Sequence, residues 1–109
     1  MPESDTEPPL DDALAAIWLR AQPKLLARLD VIDTAVAALH RGDLDPELAE
    51  AARSEAHKTA GLIGTFGLHD GTELARVLEH GLEPGATPDA DQLTRTAGEL
   101  RAMLVHAAG

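Results

Sequence analysis

Cysteine is absent from this 109-residue chain, which excludes both a disulfide framework and a thiolate metal site. Tyrosine is missing as well, Trp18 and Phe66 are the only aromatics besides histidine, and β-branched residues are sparse. Strands draw on those residue types, whereas the abundant Ala and Leu favour helices, so the composition reads as all-α. No apolar run approaches the length of a membrane span, and the opening Met1-Pro2-Glu3-Ser4-Asp5 lacks the basic and hydrophobic regions of a signal peptide. A cytoplasmic protein is expected. Basic residues are few: nine Lys and Arg against nineteen Asp and Glu leave a formal net charge of −10. That charge repels phosphate backbones and anionic headgroups, which makes nucleic acid and membranes poor partners. Neither a phosphate-cradling Gly-x-x-x-x-Gly-Lys loop nor a Gly-x-Ser-x-Gly elbow occurs, so neither ATP binding nor a serine hydrolase is indicated.

What is present is a succession of amphipathic helices, long enough together for one domain with a modest core. Residues 1–9 are acidic and carry three prolines, and they read as a disordered tail before a helical domain at 10–107. Leu10, Leu14, Ile17, Trp18 and Ala21 follow a helical stripe that predicts a short first helix, packed as a lid on one end. Pro23 interrupts it. Leu25, Leu29, Ile32, Val36 and Leu39 then predict a long helix that stops at Arg41-Gly42. Asp43 or Asp45 can cap the next, with Pro46 in its first turn and an end near Gly67. Asp70-Gly71-Thr72-Glu73 has the spacing of a capping box ahead of Leu74, Leu78 and Leu82. Thr87-Pro88 predicts the start of a final helix with the stripe Leu93, Ala97, Leu100 and Leu104. Short links make successive helices antiparallel, so the expected architecture is an antiparallel four-helix bundle with a short additional N-terminal helix.

The stretch from Arg53 to Leu68 carries the chemistry. At about 100° per residue, Ala49, Ala52, Ala56, Ala60 and Ile63 form one core face, with Leu48, Thr59 and Phe66 at its margin. His57 falls about 100° from that face, beside Gly61 and Gly64. Each glycine inside a helix gives up roughly 1 kcal/mol relative to alanine. Placed there, the two clear space around an imidazole that another protein must reach. A neutral imidazole has a nucleophilic ring nitrogen, so an exposed ring can accept a phosphoryl group. Arg53, one turn before, and Lys58, beside it, are the nearest cations. Leu62 lies off the core face, where an apolar patch would suit docking. Taken by residues alone, His57 is balanced between this role and that of an idle surface histidine.

The run Ala56-His57-Lys58-x-Ala60-Gly61-x-x-Gly64-Thr65-Phe66-Gly67 resembles the active helix of histidine phosphotransfer (HPt) domains. Ile17-Trp18…Pro23-x-Leu25-Leu26-Ala27-Arg28 and Leu74-Ala75-Arg76-x-Leu78-Glu79 are similar to the same family, so the likeness covers most of 10–105. The resemblance implies a phosphocarrier without ATP-dependent kinase activity of its own. His57 would be phosphorylated, at Nε2; Lys58 and Arg53 would stabilise the phosphate; Gly61, Gly64 and Leu62 would serve access and docking. The implied partner is a response-regulator receiver domain or a hybrid histidine kinase, with the Mg2+ on that partner and no cofactor or metal on this chain, which is expected to be a monomer. Many family members have lysine where this chain has Ala60, and a small residue where it has Leu62. Two other readings therefore stand beside the relay: a degenerate HPt-like module that binds a receiver without carrying phosphate, and a helical scaffold that dimerises. The remaining histidines, His40, His69, His80 and His106, sit near helix ends on different elements and form no metal-binding pair.

Overall fold

The computed structural model describes the backbone of residues 9–106 and the side chains of 13–106. Four helices follow one another: α1 (Pro9–Arg41), α2 (Pro46–Thr65), α3 (His69–Gly81) and α4 (Ala90–His106). There is no strand among the described residues. Each helix packs on its neighbours round a square, α1 on α2 and α4, α3 on α2 and α4. Buried Leu25, Leu29 and Ile32 of α1, Ala56 and Ile63 of α2, Leu78 of α3, and Leu93, Leu100 and Leu104 of α4 make one core. The all-α antiparallel bundle expected from the stripes is thus the fold.

The short separate first helix is corrected: α1 is a single helix of 33 residues with Pro23 inside it. Proline within a helix removes one backbone hydrogen bond and crowds the preceding turn, at about 3 kcal/mol. Packing overrides that here. Pro23 lies on the exposed side, where water can satisfy the freed carbonyl, while Trp18 before it and Leu25 after it are anchored in the same core. Gln22 Nε2 adds a 2.7 Å hydrogen bond to the carbonyl of Leu104. Trp18 meets Phe66 edge to face, with ring centroids 4.9 Å apart, and closes the bundle at the end of α2. The helix nonetheless outruns its partners, which leaves Leu14 and Ile17, both on the expected stripe, 42% and 44% exposed. Residues 1–8 of the expected tail lie outside the described residues.

Helix boundaries follow local chemistry. Gly67, at φ 75°, ends α2, with Gly67 N–H donating to Gly64 O at 3.0 Å and Leu68 N–H to Ile63 O at 3.3 Å. This left-handed C-terminal cap delivers the chain directly into α3, whose N-cap is Leu68, without a side-chain bond. The capping box expected at Asp70 is therefore not formed; Thr72 Oγ1 bonds back to Leu68 O at 3.2 Å instead. Asp45, rather than Asp43, caps α2, accepting from Leu48 N–H at 2.8 Å. The start of α4 also moves. Asp89 Oδ1 accepts from the N–H groups of Asp91 (3.0 Å) and Gln92 (3.2 Å), so the cap is Asp89 and not Thr87.

Two glycines set the spacing of α3 against α4. A methyl group at Gly81 would stand 2.9 Å from buried Leu93, and one at Gly71 2.8 Å from Met103 Sδ. Gly81→Ala is accordingly expected to lower stability by about 1–3 kcal/mol, because the buried Leu93 side chain must shift to admit the methyl. Chemical denaturation checks this, and an unchanged midpoint would contradict the close packing.

Candidate functional site

The helix that carries His57 is pinned on its inner face by Ala52, Ala56, Thr59, Ala60 and Ile63, all buried. With that face fixed, the wheel leaves the His57 side chain 66% exposed on the flank that faces α3. Ala60 is 2% exposed, so the alanine that departs from the HPt pattern is a core residue in this chain. Gly61 is exposed, and a methyl added there would meet nothing within 4 Å. At Gly64 the nearest atom to such a methyl is Thr72 Oγ1, at 3.5 Å, an ordinary contact across to α3. Leu62 is half-buried against the core cluster. Five residues on from His57, it sits about 140° round the helix, away from the imidazole.

The feature that sequence reasoning missed is Glu79. It projects from α3 beside buried Leu78, and its Oε2 lies 2.9 Å from Nδ1 of His57, with the Glu79 side chain only 10% exposed. An ionised carboxylate has no proton to give, so in this pair Nδ1–H donates and Oε2 accepts. The ring proton is thereby held on Nδ1, and Nε2 points outward with its lone pair free. Glu79 Oε1 is buried without a hydrogen-bond partner. No local sequence signal marks this pair: the two residues are 22 apart, and their meeting depends on the α2–α3 register set by the turn at Gly67.

The two cations assigned to the phosphate are partnered by carboxylates. Arg53 grips Glu50 with two bonds, Nε to Oε1 at 2.9 Å and Nη2 to Oε2 at 2.7 Å. That bond holds the Glu50 carboxyl below its usual range and raises the Arg53 guanidinium, with Glu79 and Glu83 adding smaller effects on Arg53. The same guanidinium is 3.9 Å from Glu79 Oε2, which brings Arg53 to the imidazole's neighbourhood. Lys58 Nζ stands 4.0 Å from Glu55, at the crest of α2.

Among the described residues there is no group of three or more His, Asp or Glu arranged to hold a metal ion, and no helix long and apolar enough to cross a membrane. His40 pairs with Asp91 at 3.0 Å across α1 and α4.

Of the exposed imidazoles on this small four-helix bundle, that of His57 is backed by a buried carboxylate. Residues 13–108 match the Hpt domain family, and the chain belongs to that family. Protein RcaC of Microchaete diplosiphon is 35% identical over 65 residues, which cover 60% of this chain. The match spans about a tenth of that protein's length, 10%. No solved structure matches.

Proposed function

We propose that this domain carries phosphate in a multistep histidine-aspartate relay, accepting a phosphoryl group on His57 from a receiver-domain aspartate and passing it to another. The single observation behind the reading is the Nδ1 to Glu79 bond on a ring whose Nε2 faces solvent. Family membership supports it.

The Nε2 lone pair attacks phosphorus in line, and the phosphorus–oxygen bond to the aspartyl carboxyl breaks, leaving its electron pair on that carboxylate. Since Nδ1 keeps its proton, the phosphorylated ring is a cation, and the Glu79 carboxylate beside Nδ1 offsets that charge. In the return step a phosphoryl group on a protonated ring leaves readily, and the Nε2 lone pair is restored. Such a loose transition state asks for positioning and charge stabilisation more than for a protein base. The receiver would supply Mg2+ and most of the electrostatics, so this chain acts as a carrier and not as an ATP-dependent kinase. Arg53 and Lys58 would turn from Glu50 and Glu55 toward the phosphate oxygens. Gly61 and Gly64 leave the approach open, with Leu62 as an apolar contact for the receiver or hybrid kinase on the far flank. The working location is the cytoplasm.

Incubation with phosphorylated receiver domains tests the reading: the chain should acquire an acid-labile, base-stable label. Receiver binding without label would instead identify a degenerate module. Concentration-dependent sedimentation with no receiver binding would identify a scaffold. A variant at Gly61 separates access from chemistry. Gly61→Leu enters open space, so stability should hold or rise by up to about 1 kcal/mol. A bulky side chain at a close-packed interface centre obstructs docking, so transfer from a receiver should fall by about tenfold or more. Labelling by phosphoramidate, a small donor, should be little affected. Equal transfer rates in the variant would contradict the role given to Gly61.

A further inference from the structure

A phosphoryl group on Nε2 would enter an acidic neighbourhood. The face shared by α2 and α3 carries Glu50 and Glu79, with Glu83 just past the end of α3, and against them Arg53, which Glu50 already engages with two bonds. The phosphoryl oxygens bring roughly two negative charges, only one of which the cationic ring offsets. One cation on this face is uncommitted. Arg76 is exposed on α3, and none of the hydrogen bonds or ion pairs among the described residues includes it.

Its position follows from two contacts that fix the register of the antiparallel pair. Glu79 meets His57 at 2.9 Å, and Thr72 Oγ1 faces Gly64 at 3.5 Å from where a methyl would stand. Arg76 is three residues before Glu79 and four after Thr72, one turn from each and on the same side of α3. Opposite it, between His57 and Gly64, lies Gly61, whose missing side chain leaves nothing within 4 Å. Packed helix axes stand about 8–10 Å apart. An extended arginine from one helix and a phosphorylated imidazole from the other can meet over that gap, across the ground that Gly61 leaves clear.

We propose that Arg76 is a phosphate-binding residue, which closes over the phosphoryl group on His57 from α3 and adds its charge to that of Arg53, which must first leave Glu50. The guanidinium fork donates two parallel hydrogen bonds to phosphoryl oxygens. Arg76 reaches them without first giving up a carboxylate, unlike Arg53 and Lys58. The inference rests on His57 being the phosphoryl acceptor.

The test uses phosphoramidate, whose phosphorus–nitrogen bond breaks with departure of ammonia, so that labelling of His57 needs no receiver. Phosphorus NMR then follows the phosphohistidine through pH in the wild type, Arg76→Ala, Arg76→Lys and Arg95→Ala. Arg95 is an exposed cation on α4, which lies diagonally across the bundle from α2, and serves as the control. A guanidinium on the phosphate favours its dianion, so the midpoint in Arg76→Ala should rise by about 0.5 pH unit. Arg76→Lys should restore part of the shift, and Arg95→Ala should match the wild type. Transfer from a phosphorylated receiver should fall about tenfold in Arg76→Ala. Superimposed titrations of Arg76→Ala and wild type would overturn the proposal, as would an equal shift in Arg95→Ala. A wild-type chain that takes phosphate from phosphoramidate but from no receiver would sink the relay reading alone, since the titration still decides whether Arg76 touches the phosphate.

Discussion

His57→Gln should reduce phosphoryl labelling from a receiver to background, while the domain folds as before. The substitution removes the nucleophilic ring nitrogen outright, and glutamine has no atom that forms a comparable bond to phosphorus. Because the His57 side chain is 66% exposed and helps fill no cavity, the fold loses only its bond to Glu79. Receiver binding should persist within a few-fold, since the docking surface remains. Residual acid-labile label in the variant would place the phosphate on another histidine. His40, His69, His80 and His106 are then the residues to substitute in turn.

The second large effect is expected at Glu79, and it separates activity from stability. Glu79→Gln keeps an acceptor for Nδ1–H but removes the charge that offsets the phosphorylated ring, so transfer should slow by about tenfold. Glu79→Met leaves Nδ1–H with no partner on α3, and the loss should approach about a hundredfold. Stability should move the other way. The carboxylate is buried with Oε1 unpartnered, a state that costs about 1–3 kcal/mol relative to a satisfied group. An apolar side chain of similar length is therefore expected to leave the thermal midpoint unchanged or raise it. A buried group that weakens the fold and speeds the reaction is the signature of a functional residue. Equal losses of stability and transfer in Glu79→Met would instead make Glu79 a structural residue.

Much of the bundle was legible because helical periodicity is a local property. Leu93, Ala97, Leu100 and Leu104 recur on one stripe and are all buried, and the same holds from Leu25 to Val36. The flank position of His57 and the clear space at Gly61 follow from the same arithmetic. Pro23 misled for a physical reason: a local breaker was outweighed by Trp18 and Leu25, which lie in one core on either side of it. The capping box before Leu74 failed because the left-handed cap at Gly67 leads into α3 before Asp70 is reached. Gly71 and Gly81 each mark a close approach of α3 to α4, which no local pattern announces. The role of Glu79 lay beyond local reading, although the residue closes a run similar to the family's. Beside Leu78 it looks like any surface carboxylate, and only the register between two helices brings it under the imidazole.

That pairing is the centre of the account, and the position of the phosphate tests it most directly. The domain, carrying nitrogen-15 histidine, is phosphorylated from a receiver, and long-range proton–nitrogen NMR assigns the ring nitrogens of His57. The account predicts phosphorus bonded to Nε2 and the ring proton on Nδ1, lost from its hydrogen bond in Glu79→Met. Phosphate on Nδ1, the nitrogen that Glu79 occupies, would contradict it.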